Sequence, residues 1–351
     1  MPRRVREEEP FESDRIAGQA HPRETFDLFS QDEALTRAAR AIRIGRPPQA
    51  WLLTGPPGIG KATLAYRIAR YLLAHGANDR GPDDLNVTQN DPAAMLTKAG
   101  AHPGLLVLKR GAHPETGKPM TVLGVDEIRK LGNFFGMTSG AGGWRVAIID
   151  TADDMNDAAA NALLKILEEP PSRSMLILLA HAPARLVSTI RSRCQLLRLR
   201  ALSDTLLAEQ LAARLPNLSA EDRARLISLS GGSLGMALRL AGEDGLKLAA
   251  DAERLIDRAT APDFPATLSL AERLGRVDRG LESFGAYLTQ ILAARILKRA
   301  RDDTPDLERW VELRNRIGTS FVRSAALHLE PRQTILSAAR TLEFAARRGA
   351  L

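Results

Sequence analysis

The sequence predicts an α/β fold, a parallel β-sheet covered by helices, followed by an all-helical C-terminal part. Three observations predict it. Strand-length apolar runs alternate with helical periodicity through about residue 200, and a glycine-rich loop, Gly55-Pro56-Pro57-Gly58-Ile59-Gly60-Lys61, joins one such strand to a helix. Beyond Ala201 the strand signals stop. A chain of 351 residues can bury two or three separate cores.

Taken in order, residues 1–24 are polar and charged, with Pro2, Pro10 and Pro22, and read as a loosely ordered lead-in. Residues 31–44 keep apolar positions at helical spacing until Pro47-Pro48, after which Ala50-Trp51-Leu52-Leu53 starts a strand. The helix after Lys61 ends near Gly76, and a polar stretch with Gly81, Pro82 and Pro92 follows. Leu105-Leu106-Val107-Leu108 is the second strand, residues 109–121 read as an exposed loop, and residues 125–135 return to helical spacing. A buried strand at 145–149 ends in Asp150, a helix spans about 156–169 before Pro170-Pro171, and strands at 175–179 and 195–199 complete the sheet. Helices are expected at 205–214, 220–229 and 234–240, with longer ones to Ala346. The division expected is a lead-in (1–24), an α/β domain (25–200), a small helical domain (201–245) and a larger helical one (246–351).

Composition narrows the classes. Hydrophobic residues at 44% and charged residues at 26% exclude a disordered or fibrous chain. The single Cys194 excludes an internal disulfide and a four-cysteine zinc module. The opening residues are charged without a following apolar segment, and no run approaches the about 18 apolar residues of a membrane span, so a cytoplasmic protein without membrane partners is expected. A net charge of +7 is compatible with nucleic acid nearby, but the sequence has no helix-turn-helix, stacking platform or basic arm for base readout.

The loop carries the clearest chemistry. Its glycines let backbone N–H groups turn around a phosphate, the helix adds its positive end, and Lys61 supplies a point charge to the outer phosphates. The pattern asks for a Ser or Thr directly after the lysine to ligate magnesium, and the residue there is Ala62. Thr63 lies one place later, about 100° further round the helix. Asp150, ending its strand, stands where such folds bring a carboxylate toward magnesium, or else serves as a helix-capping or loop residue. The next residue, Thr151, replaces the Glu that polarises water in many hydrolysing proteins, with Asp153 and Asp154 beyond it. Cys194 starts an apolar strand and reads as a buried small residue rather than a nucleophile.

Asn161-Ala162-Leu163-Leu164-Lys165-Ile166-Leu167-Glu168-Glu169-Pro170-Pro171, then an apolar strand, then Ser192-Arg193-Cys194, resembles the signature of the bacterial DNA polymerase III clamp-loader ATPase family, and within it the delta-prime branch. The resemblance covers about residues 20–240. It implies an AAA+ module, a helical lid and a C-terminal helical collar that assembles with related subunits. It also implies a role for Arg193 as an arginine finger acting in trans on a neighbour's ATP site, where an always-charged guanidinium stabilises the transferring phosphoryl group. The open alternative is an arginine that satisfies carbonyls at a helix end.

This chain departs from the active members. Their lid carries Gly-Ser-x-Arg, and here Gly235 stands in the arginine's place within Gly232-Ser233-Leu234-Gly235. The zinc-binding cysteines of many relatives are missing, so no zinc is expected. The expected nucleotide pocket comprises Gly55, Pro56, Pro57, Gly58, Ile59, Gly60, Lys61, Ala62, Thr63 and Asp150; whether it binds ATP stays open, hydrolysis is not expected, and magnesium enters only with a nucleotide. Partners implied are gamma/tau-type ATPase and delta-type subunits in a hetero-oligomer, with the sliding clamp and primed DNA reached through the complex. Two further readings stay open: a self-sufficient ATPase motor using Thr63 or water for magnesium, and a scaffold whose loop and Arg193 are vestigial.

Overall fold

The computed structural model describes residues 19–78, 81–111, 120, 122–136, 143–242, 244–276, 280–302, 306–327 and 329–348. The chain divides into two compact units between Leu202 and Ser203. In the first, α1 (Asp32–Arg43), β1 (Ala50–Thr54), α2 (Lys61–His75), α3 (Pro92–Lys98), β2 (Leu105–Leu108), α4 (Val125–Gly136), β3 (Arg145–Ile149), α5 (Asp157–Glu168), β4 (Ser174–Ala180), α6 (Ser188–Arg193) and β5 (Gln195–Arg198) follow in order.

The five strands form one parallel sheet in the order β2-β3-β4-β1-β5. Successive side chains alternate faces, and both faces are covered. Trp51, Leu53, Ile148, Ile177 and Leu179 pack with α1, α2 and α3, whereas Leu52, Ala147, Ile149, Leu176 and Leu178 pack with α4, α5 and α6. Every residue of β1 and β4 is buried, which fits central strands whose sequences carry no alternation. Burying each Leu or Ile there contributes about 1.5–3 kcal/mol.

Helices α3 and α6 add to the elements expected. Pro92 reads as a breaker, yet it occupies the first turn of α3, where a missing N–H costs nothing. Asp91 before it accepts from the N–H groups of Ala93 (2.8 Å) and Ala94 (3.4 Å). Most of the 109–121 loop lies outside the described residues, as does the lead-in through residue 18.

From residue 19 the chain is packed. His21 is fully buried, and two arginines of α2 hold the segment after it. Arg70, 1% exposed, donates to the carbonyls of Arg23 and Thr25 (both 3.1 Å) and lies over the Phe26 ring at 4.1 Å. Arg67 donates to the Phe26 carbonyl (3.2 Å) and pairs with Asp84 (3.0 Å).

The second unit is helical throughout its described residues: α7 (Asp204–Arg214), α8 (Ala220–Ser230), α9 (Leu234–Ala241), α10 (Gly245–Asp257), α11 (Phe264–Arg276), α12 (Gly280–Arg301), α13 (Leu307–Ala326) and α14 (Pro331–Arg347). Serines 203, 219 and 233 cap α7, α8 and α9 by accepting backbone N–H bonds. Buried Asp251 on α10 accepts from Arg254 (2.5 Å) and from Arg273 of α11 (2.6 Å). Among the described residues no helix is long and apolar enough to cross a membrane.

Replacing Arg70 with Met keeps the volume but removes the donors to the half-buried Arg23 and Thr25 carbonyls. Urea unfolding should show a loss of about 2–3 kcal/mol, and chymotrypsin should cut faster at Phe26. Unchanged stability and cutting would contradict the clamp.

Candidate functional site

The loop leaves the carboxyl edge of the sheet, where open α/β sheets bind their ligands. Gly55, Gly58 and Gly60 have φ of 151°, 74° and 108°, in the region L side chains avoid. At Gly55 a Cβ would also meet Ile59 Cγ2 at 3.1 Å and the Leu199 carbonyl at 3.3 Å. The loop therefore needs glycine there for both conformation and space. Pro56 and Gly58 are exposed, Pro57 is half-buried and Ile59 is buried beneath them.

Gly60 caps α2 without a side-chain bond, and the first turn holds no carboxylate, so the helix keeps its positive end uncompensated. Ala62 is half-buried against the core and carries no oxygen; Thr63, next to it, is also half-buried. A cleft of ≈ 390 Å³ runs along the flank of α2, walled by Phe26, Leu28, Phe29, Arg67 and Asp84.

Lys61 is 5% exposed and folds back on its own loop, its Nζ donating to the carbonyls of Gly55 (2.7 Å) and Pro56 (2.9 Å). Burial pushes its pKa down to about 8, opposed by the charges of Asp150 and Asp153. Asp150, 7% exposed, follows β3 at the same edge. The cap of α5 is Asn156, which accepts from Ala159 N–H at 2.9 Å.

The other acidic residues here are engaged in structure. Asp153 accepts from the backbone N–H of His181 (3.1 Å) and of Ala182 (2.8 Å), which ties the end of β4 to the turn after β3. Asp154 pairs with Arg110 (3.3 Å) and Arg185 (3.6 Å), while burial raises its pKa against their opposing charge. Thr151 is buried at φ 55°, a strained conformation for a β-branched residue, and its hydroxyl donates to the Asp150 carbonyl at 2.7 Å. No carboxylate occupies its place.

Arg193 lies at the opposite edge. Because β1 and β5 are parallel with Trp51 opposite Gln195 and Thr54 opposite Arg198, the residue before Cys194 sits where β5 begins, and the loop sits where β1 ends. Roughly 10 Å of strand separates the two ends. The Arg193 side chain is 38% exposed, donating through Nη2 to Glu168 Oε1 (2.8 Å) and through Nη1 to the Thr189 carbonyl (3.1 Å). Sequence reasoning assigned Glu168 no role. The partners lie 25 positions apart, on α5 and α6, and only the packing of those helices brings them together. Beside Arg193, burial pushes the Cys194 thiol up to about 12, so it is inert at neutral pH. Gly235 is buried in the first turn of α9, in the second unit.

Comparison with known proteins bears on both edges. The profile of the family described as DNA polymerase III, delta subunit, matches residues 30–203. A DNA polymerase III subunit delta' from Pseudomonas aeruginosa is 41% identical over 196 residues, 55% of this chain and 56% of that protein. The Escherichia coli K12 subunit delta' is 35% identical over 200 residues, 57% of this chain and 56% of its own length. The chain thus spans little more than half the length of the curated relatives it matches. Among solved structures, a DNA polymerase III gamma-subunit-related protein from Thermotoga maritima aligns with a TM-score of 0.39 and 17% identity, covering 90% of this chain and 99% of that one.

The buried lysine makes a testable statement about pH. Its folded pKa lies below the ordinary 10.5, so between about pH 8 and 10.5 the unfolded chain holds a proton that the folded chain has released, and stability rises with pH. Relative to Lys61→Met, the wild type should gain about 3 kcal/mol of unfolding free energy from pH 7.5 to 10.5. A constant difference across that range would show that Lys61 is not buried as described.

Proposed function

We propose, from the match of residues 30–203 to the family described as DNA polymerase III, delta subunit, and from the similarity to subunits delta', a clamp-loader subunit that donates Arg193 to a neighbour's ATP site and hydrolyses little ATP itself. The observation that carries this reading is the placement of Arg193 at the sheet edge opposite the chain's own loop. A guanidinium there is exposed to a neighbour and out of reach of a nucleotide held at Lys61.

The loop is read as the frame of a nucleotide pocket with ATP against the α2 terminus, Lys61 on the outer phosphates and the flanking cleft open to the base. A phosphate oxygen would replace the Gly55 and Pro56 carbonyls around Nζ. Asp150, at the same edge, would face a magnesium ion brought in with the nucleotide. Hydrolysis lacks its equipment: Ala62 offers no magnesium ligand, Thr151 is tied to the backbone, and Asp153 spends its oxygens on β4. The same engagement of Asp153 weighs against a self-sufficient motor. Residues 201–245 would form the lid and 246–351 the collar that assembles with gamma/tau-type and delta-type subunits. The assembled loader would open a sliding clamp and place it on primed DNA.

In a reconstituted loader, Arg193→Ala should lower clamp-stimulated ATP hydrolysis at least ten-fold, about 1.4 kcal/mol of barrier. Lys61→Ala should leave it nearly unchanged. A crippling Lys61→Ala would install the motor reading instead, and two silent variants would leave only a scaffold.

A further inference from the structure

We propose that Glu168 is the positioning residue of Arg193, holding the guanidinium at a fixed angle before a neighbour's phosphate arrives. The inference rests on the finger reading of Arg193 and extends it to a second side chain. Arg193 is held from two helices at once, by the Glu168 carboxylate of α5 through Nη2 and by the Thr189 carbonyl of α6 through Nη1. A guanidinium has five N–H donors, and these two bonds leave Nε and one N–H on each terminal nitrogen for a phosphoryl group. The plane is fixed and the outward donors are spared.

The placement of Glu168 favours this role over a stabilising one. It is the last residue of α5, where the helix presents its negative end, and Glu169 follows as the cap. Carboxylates there oppose the helix dipole, and cations are the usual occupants. The pair with Arg193 is exposed, 38% on the arginine and 52% on the glutamate, and such pairs add little to stability. What the pair does supply is order. An unrestrained arginine loses rotamer freedom when it is fixed, and a side chain already fixed does not lose it during catalysis. Glu169 is exposed and makes no contact with Arg193 among the described residues, which makes it the natural control.

The test is steady-state ATP hydrolysis by the loader reconstituted with this subunit and stimulated by clamp and primed DNA. Glu168→Ala should lower kcat about five-fold with KM for ATP unchanged. Glu168→Gln, whose amide oxygen accepts the same N–H, should recover at least half of the loss, and Glu169→Ala should match the wild type. In an Arg193→Ala background, Glu168→Ala should add nothing. Thermal midpoints of all variants should agree, which separates positioning from folding. Full activity of Glu168→Ala beside a crippled Arg193→Ala would overturn this inference and spare the finger reading. Additive losses, or a Glu168→Ala that is faster than wild type, would overturn it as well. A silent Arg193→Ala would remove both.

Discussion

All five strands run parallel, so every strand-to-helix turn leaves at one edge of the sheet and every return to a strand arrives at the other. This constraint gives the first unit two chemically different edges. The glycine loop, Lys61, Asp150 and the tethered Asp153 gather at the carboxyl edge, because they follow β1 and β3. Glu168, Arg193 and Cys194 gather at the amino edge, because they precede β4 and β5. A residue at one edge cannot serve a ligand at the other. The phosphate loop and the candidate finger of one chain therefore belong to two different sites.

The carboxyl edge gathers features that favour an anion. Glycines at positive φ, an uncapped helix terminus and a buried cation all favour an anion. Lys61 is solvated by its own loop carbonyls, as a charge held at 5% exposure must be. Ala62 has no side-chain oxygen, the Thr151 hydroxyl bonds backward to the Asp150 carbonyl, and Asp153 braces β4. The amino edge is the reverse case, with a half-exposed cation steadied by a neighbouring carboxylate and directed away from its own core.

Much of this was legible in the sequence, for physical reasons. The five strands were readable because each carries a short apolar run, four of them closed directly by Gly or a charged residue, and the loop because its glycines stand between strand and helix. Helix α3 was missed because Pro92 is punctuation in one context and a first-turn residue in another, and the Asp91 cap decides between them. Helix α6 has six residues and a single buried one, Ile190, too few to show a period. The packing of residues 21–26 was hidden because their polar character suggested solvent, whereas Arg70, more than forty positions away, holds their carbonyls. The link from Glu168 to Arg193 was likewise invisible. Both lay within the motifs that carried the family resemblance, yet nothing in their spacing says that one touches the other.

The central claim, that this chain serves a neighbour's chemistry rather than its own, is tested most directly by the structure of the assembled loader trapped with a transition-state mimic of ATP hydrolysis. The account predicts the Arg193 guanidinium within about 3 Å of a terminal phosphate oxygen bound to the adjoining subunit, with Glu168 still on Nη2. An Arg193 turned to solvent while that neighbouring site is occupied and closed would contradict it.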